Sequence, residues 1–523
     1  MQPGPSSARR PRRVTSSLLL RFAVATAALA LVAGGIYALQ QTHSAAAGGE
    51  PAAIQPVPGS TGNPITVAID PTHPQGSFAA GAVGLSVEAD ELVTQDLSPD
   101  HRALVSLMRS LGPGVLRLGG NSVDYSWWSR RGEQAPTWAT SVITESDLEN
   151  LSRLMSATGW RAVLGVDLAH FDPARAASEA AVAEHILGHR LLGIEVGNEP
   201  NDYGHRANKL RASSYSVGDY MKELAAYTTQ IRAVVPDVSF YGPDVYAPEW
   251  IIPIASDPAA PFVATTLHYY PTSYSVAKGA CRGTPVPTAL ELLSPQIRER
   301  ESTTLKALVS ADELNHRETR ISETNTTGSC DTSGGPETSP VFASALWSLD
   351  WILRAASAHV AALNFHGYFG RCLPGAFSPI CAPSYSAEEH GHVIARPEFY
   401  GMLAARQLEG GEFVPVDIEG QGSEGSFTAY ATKHPGGEIT LAIDNFVPSG
   451  ELHLLVRVPG YRKARGARLT AASLGSTSYV TFAGASFSAT GTMRRASTRI
   501  PRAGSAFKVS LHAASAIIVT LSR

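Results

Sequence analysis

Between residues 83 and 367 one rhythm repeats along the chain. A short apolar run rich in β-branched and aromatic residues is followed by a longer stretch that mostly carries apolar residues three or four apart. The runs are VGLSVEA (83–89), VLRLGG (115–120), AVLGVDL (162–168), LLGIEVGNE (191–199), VSFYGPDV (238–245), FVATTLHYY (262–270), RISETN (320–325) and AALNFHG (361–367), eight in all. Intervening segments such as HRALVSLMRSLG, DLENLSRLMSATG and GDYMKELAAYTTQIRAVV have the apolar spacing of crossover helices. Strands buried on both faces and joined by helices form parallel sheets, and eight such units close into an α/β (β/α)8 barrel, a TIM barrel, over residues 81–409. A doubly wound open sheet would use the same alternation but gives no reason for eight units.

The rest of the 523-residue chain divides around this core. Residues 410–523 hold short β-rich runs, FVPVDI, SFTAYAT, EITLAIDNF, ELHLLVRV and AIIVTLS, joined by Gly, Pro and Ser turns, as expected for a C-terminal β-sandwich. The strand in PITVAID (64–70), which opens the segment 65–80, is expected to join it. At the N-terminus, Arg9, Arg10, Arg12 and Arg13 precede an apolar run from Phe22 to Leu39 and then Ala45-Ala46-Ala47. Residues 1–47 therefore read as a signal peptide, or as an uncleaved membrane anchor with its basic end in the cytoplasm, and 48–64 as a linker. Either reading puts the protein outside the cytoplasm, secreted or on the extracellular face of the membrane. Four cysteines suit that oxidising setting. The short Pro/Gly loop CLPGAFSPIC favours Cys372 with Cys381, which leaves Cys281 with Cys330.

Composition narrows the partners. With 44% hydrophobic and 17% charged residues the chain can bury a large core. A net charge of -4, from 42 basic against 46 acidic residues, offers no overall basic field for nucleic acid. No C-x-x-C or H-E-x-x-H spacing occurs, so neither a metal nor a cofactor is expected.

In such a barrel, chemistry sits at the C-terminal ends of the strands. The fourth run ends on Glu199 after Asn198, and the seventh carries Glu323 near Asn325. Two carboxyl groups converging on one mouth suit glycosidic bond cleavage, in which one protonates the departing oxygen and the other attacks the anomeric carbon. Glu195 lies on the same strand face as Glu199, and Arg117 on the second strand could neutralise it or reach the nucleophile. Asp167, Asp244 and Glu88, also near strand ends, read as packing or rim groups. Asn150 and Asn325 stand in glycosylation sequons.

GIEVGNEP (193–200) and RISETN resemble the acid/base and nucleophile strands of the clan-A retaining glycosidases. VLRLGGNSVDYSWW (115–128) and LHYYP (267–271) resemble the second- and sixth-strand motifs of glycoside hydrolase family 79, which holds β-glucuronidases and heparanase. The resemblance spans about residues 65 to 523. It implies Glu199 as general acid/base and Glu323 as nucleophile. Asn198 would contact the sugar 2-hydroxyl, Tyr270 would bond near the nucleophile, and Asn121 and His268 would line the sugar subsite. The Gly367 N–H and the Tyr368 hydroxyl would take a substrate carboxylate. The stretch after Glu323, TNTTGSCDTSGG, lacks a tyrosine that the glucuronidases carry there, which makes Arg371 a further candidate for the carboxylate. The implied activity is that of an exo-acting β-glucuronidase whose partner is a carbohydrate. An endo-acting enzyme, a neutral-sugar β-glycosidase and an inactive carbohydrate-binding barrel are the alternatives.

Overall fold

A computed structural model describes residues 65–130, 133–206, 209–274, 285–328, 334–420 and 425–523. The N-terminal segment, the linker, and Cys281 and Cys330 lie outside the described residues. Among the described residues, no helix is long and apolar enough to cross a membrane.

Eight strands form a closed, wholly parallel barrel: β1 (Val83–Glu88), β2 (Val115–Gly119), β3 (Arg161–Val166), β4 (Leu191–Val196), β5 (Phe240–Val245), β6 (Phe262–Tyr269), β7 (Glu318–Thr324) and β8 (Val360–His366). Closure comes from β8 pairing with β1, Leu363 opposite Val83 and His366 opposite Ser86. Every residue of β1, β2 and β5 is buried, which is why these strands read as unbroken runs rather than as alternation.

A helix follows each strand: α1 (Arg102–Ser110), α2 (Glu145–Thr158), α3 (Pro173–Leu187), α4 (Val217–Val234), α5 (Pro248–Ser256), α6 (Pro295–Glu313), α7 (Phe342–Ser357) and α8 (Pro397–Ala405). Their starts are set by local chemistry. Thr144 with Asp147 and Ser216 with Asp219 make capping boxes for α2 and α4. Asp172 and Ser294 accept from backbone N–H groups ahead of Pro173 and Pro295 at the starts of α3 and α6. Gly401 on α8 lies so close to α7 that an added Cβ would sit 2.0 Å from the Ala345 carbonyl oxygen, so the two helices pack backbone to backbone.

The second domain stacks two sheets. One places Ile65–Ile69 between Val416–Glu419, antiparallel, and Glu451–Arg457, parallel. The other is built around Phe427–Lys433, Ile439–Asn445, Ser515–Ser522 and Lys463–Thr470. Val67, Leu454 and Val509 from the first meet Leu441, Ile517 and Val519 from the second in one apolar core, the packing of a β-sandwich. Tyr430 reaches across to Asp350 on α7 at 3.2 Å and Arg298 on α6 donates to the Gly425 carbonyl at 2.5 Å, so the sandwich braces the barrel flank.

Candidate active site

Past β4 the backbone turns sharply. Gly197 takes φ +79°, where a Cβ would also meet the Tyr203 hydroxyl at 2.7 Å. Glu199 itself sits at φ 51°, in the left-handed region that favours glycine, and its N–H donates to the Asp244 carbonyl at 2.9 Å. Asp244, at the end of β5, is left-handed too, with φ 55°. Two non-glycine residues held this way side by side store strain, a feature that concentrates at functional sites. The turn is clamped from outside by Arg206, which is 1% exposed and donates to the Asn198 carbonyl (3.0 Å), Asn121 (3.2 Å) and Asp124 (3.2 Å).

Glu323 comes from β7 where the pairing with β6 shifts register between Ile321 and Glu323. The irregularity lets neighbouring side chains both find partners inside the barrel: Ser322 donates to Asp244 at 2.6 Å, and Glu323 accepts from Tyr270 at 2.8 Å. The Arg117 guanidinium ties three strands together. Its Nε donates to Glu195 (2.8 Å), Nη1 to Glu323 (2.7 Å) and Nη2 to Asn198 (2.9 Å). The two roles that the sequence left open for Arg117 are thus filled at once.

His268 stands between the acids. Its Nδ1 is 3.1 Å from Glu199 and 3.9 Å from Glu323, and its Nε2 is 3.4 Å from Asp244. Arg117 Nη2 also lies 3.3 Å from Nε2, which favours a neutral ring, but three carboxylates outweigh one guanidinium. Burial alone would lower the imidazole; Glu323, Asp244 and Glu199 instead push it up to about 10. Burial likewise opposes ionisation of Glu323, yet His366, His268, Arg117 and the Tyr270 hydroxyl hold it well below the ordinary carboxylate range. Asp244 is also held low, since Arg117 and His268 overcome its burial. Glu195, buried and beside Asp244, is pushed up to about 8 in spite of Arg117. Glu199 and Glu323 thus face each other in unlike surroundings: Glu323 is bonded by Arg117 and Tyr270, and Glu199 by the His268 ring.

Glu199, His268 and Glu323 each bring a donor atom within 4.8 Å of the others, a spacing a metal ion could bridge. Arg117 and Tyr270 already bond the two Glu323 oxygens, however, and both His268 nitrogens face carboxylates. The set is arranged as an ion-paired acid dyad.

The structure brings together Glu199, Glu323, Asn198, Asn121, His268 and Tyr270; Asn198 Nδ2 donates to Asn121 at 3.3 Å. Tyr368 adjoins them, its ring 6.1 Å from His366 and 6.4 Å from Phe377. Gly367 requires a correction: its N–H donates to the Ser86 carbonyl at 3.0 Å, continuing the β8–β1 ladder, and is not available to a substrate carboxylate. Of the two readings given to Asp244 and Glu88, packing or rim, burial rules out the rim, and both are tied into the polar network as well. Asp244 is 1% exposed inside the network, and Glu88 accepts from the Ser122 N–H at 2.7 Å beside His366, 3.6 Å away. Asp167, by contrast, lies at the rim with His170 at 3.2 Å. Arg371 stacks over Tyr385 at 3.8 Å. Asn325 is fully buried, donating to the His366 carbonyl (2.8 Å) and Glu398 (3.0 Å), so its sequon cannot carry a glycan in the folded chain. Cys372 and Cys381 form a disulfide. Sequence reasoning passed over Ser322, Arg206 and His366; two of them lie in runs read as strands, RISETN and AALNFHG, but nothing in the spacing set them apart from their neighbours.

These shifts fix a pH dependence of stability. Groups raised in the folded state contribute stability that is lost as pH rises through their folded values: Asp124 at about 7, Glu179, Glu195 and Glu398 at about 8, and His268 at about 10. Groups held low, Glu323, Glu88 and Asp244, contribute above the ordinary carboxylate value of about 4.3 and lose it as pH falls through their folded values. The raised carboxyls begin to lose their contribution as soon as pH passes the ordinary carboxylate value, so the melting temperature should peak at about pH 4 to 5 and decline toward pH 10. A maximum at or above about pH 8 in a thermal unfolding series would contradict these charge states.

No family model and no curated protein matches the chain. Solved structures do. A 4-O-α-L-rhamnosyl-β-D-glucuronidase from Fusarium oxysporum 12S, in its Rha-GlcA complex, is 18% identical with a TM-score of 0.69, covering 88% of this chain and 100% of that one. An α-L-arabinofuranosidase from Thermotoga maritima is 13% identical with a TM-score of 0.62, covering 87% and 99%. A family 51 α-L-arabinofuranosidase from Bifidobacterium longum is 14% identical with a TM-score of 0.63, covering 88% and 100%. At these identities the likeness is one of fold, over barrel and second domain together.

Proposed function

We propose that the chain is a retaining glycoside hydrolase, with glycoside hydrolase family 79 the reading that its motifs favour and a β-linked glucuronide the substrate. The observation that carries the mechanism is the approach of Glu199 and Glu323, whose nearest oxygens lie within 4.8 Å of each other on facing strand ends. Retaining enzymes hold their two carboxyl groups about 5 to 5.5 Å apart, whereas inverting enzymes leave about 6.5 to 9.5 Å for a water. Glu323, kept ionised by the cations around it, attacks the anomeric carbon while Glu199 gives its proton to the departing oxygen. Glu199 then takes a proton from water, which displaces Glu323 and restores both groups. Asn198, oriented by Arg117 and Asn121, presents its amide to the sugar face between them.

Specificity for a uronate rests on Tyr368, at the mouth end of β8, and on the likeness to an enzyme named for its action on a glucuronide. An α-L-arabinofuranosidase is the second reading, favoured by the arabinofuranosidases of the same architecture. Residues 64–523, assayed on aryl β-glucuronide, β-glucoside, β-galactoside, β-xyloside and α-L-arabinofuranoside, separate these; no turnover of any would favour an inactive binding barrel. A hydrogen bond to a charged group contributes on the order of 1.5 to 3 kcal/mol, so Tyr368→Phe should lower kcat/KM on the glucuronide roughly ten-fold to a hundred-fold. Any weak activity on the glucoside, which lacks the carboxylate, should be nearly untouched. Equal losses on both sugars would remove the uronate reading and leave the retaining mechanism standing.

A further inference from the structure

We infer that Asp244 is a positioning residue for the acid/base carboxyl of Glu199, holding it through two separate connections; the inference rests on the acid/base reading of Glu199. The first connection is backbone to backbone: the Asp244 carbonyl accepts the Glu199 N–H at 2.9 Å and fixes the left-handed turn on which Glu199 stands. The second runs through side chains. Asp244 Oδ1 takes the Ser322 hydroxyl at 2.6 Å and faces His268 Nε2 at 3.4 Å, and the opposite ring nitrogen meets the Glu199 carboxyl at 3.1 Å.

Among the described residues, His268 is the one side chain that hydrogen-bonds the Glu199 carboxyl, so the orientation of the acid depends on the orientation of this ring. The ring is charged on both sides by its surroundings: Arg117 from β2, Glu199 from the end of β4, Asp244 from β5 and Glu323 from β7. Of the three carboxylates, Asp244 alone is neither proton donor nor nucleophile in the proposed reaction. It is therefore free to keep its charge throughout, and Glu195 beside it is the partner pushed toward the neutral form. Ser322 anchors the Asp244 carboxylate, Asp244 anchors the ring, and the ring aims the acid. A general acid contributes only when its proton points at the departing oxygen, so loosening this chain should weaken protonation and spare the attack by Glu323.

Asp244→Asn keeps shape and backbone and removes the charge. For a phenyl or alkyl glycoside, whose departing oxygen needs a proton, it should lower kcat/KM about ten-fold to a hundred-fold, part of the ~10²–10⁴-fold a general acid supplies. For a dinitrophenyl glycoside, which leaves unaided, the loss should be several times smaller. In a His268→Gln background the same substitution should add less than about two-fold, because its route to Glu199 is already cut. Loss independent of the leaving group, or a full effect of Asp244→Asn in the His268→Gln background, would overturn the inference. Should Asp244→Asn melt out of the folded state, Ser322→Ala reports instead, with the same leaving-group dependence and a loss of about three-fold to ten-fold; no such dependence counts against the inference. Glu199→Ala is the control. If it too loses activity equally on both leaving groups, the acid/base reading itself fails; if it shows the dependence and neither Asp244→Asn nor Ser322→Ala does, only the inference about Asp244 fails.

Discussion

Glu323→Gln should lower kcat/KM on every glycoside the protein hydrolyses by on the order of 10⁴-fold or more, whatever the leaving group, because a neutral amide cannot form the glycosyl-enzyme bond. Glu199→Ala should behave differently. It should retain the first step on a dinitrophenyl glycoside, accumulate the intermediate, and be rescued by azide, which needs no base to attack and yields a glycosyl azide of the starting configuration. Glu323→Ala should form no such azide. The contrast follows from surroundings, since the two acids are chemically equal. Glu323 accepts from Arg117 and Tyr270 and is held ionised, while Glu199 meets one proton-bearing ring. Equal losses in the two variants on the activated substrate, with azide product in neither, would reverse or abolish the assignment.

Arg117→Met should lower the free energy of unfolding by about 3 to 5 kcal/mol, the cost of leaving buried carboxylates without their counter-charge. Arg117 is 1% exposed and lies 2.8 Å from Glu195, 2.7 Å from Glu323 and 3.7 Å from Asp244, so its loss leaves those carboxyl groups buried without it. Arg117→Lys should recover part of the loss, because a lysine restores the charge but cannot donate to Glu195, Glu323 and Asn198 from one planar fork. Urea unfolding of the three proteins reads this directly. A loss below about 1 kcal/mol for Arg117→Met would mean that His268 carries the charge balance without it.

The barrel was legible because parallel strands buried on both sides leave an apolar signature, and all eight runs are strands of the closed sheet. In the second domain half-burial leaves the other signature, as in Glu451–Arg457, whose inward and outward residues alternate. Glu199 and Glu323 were legible as a pair: one acid at the end of a buried run is commonly structural, but two on one barrel mouth, each with an asparagine nearby, suit bond cleavage. Their partners were not. Arg117 meets Glu323 across 206 positions and Ser322 meets Asp244 across 78, contacts set by barrel closure and by a register shift in β7, neither of which local spacing encodes. Asp244 was placed at the end of a strand but not in the site, because nothing in VSFYGPDV shows that the chain turns left-handed there and buries the acid among Arg117, His268 and Ser322. Gly367 failed on register alone. The β8–β1 ladder carries one bond past the His366–Ser86 pair, and Ser86 takes the N–H that the family resemblance assigned to substrate.

The most direct test of the double displacement is the anomeric configuration of the first product. With whichever aryl glycoside turns over best, proton NMR in the first minutes should show the released sugar in the configuration of the substrate, with the other anomer growing in only by mutarotation, as attack by Glu323 followed by water requires. The opposite anomer appearing first would mean that water attacks the sugar directly, and would contradict a nucleophilic Glu323 within 4.8 Å of Glu199.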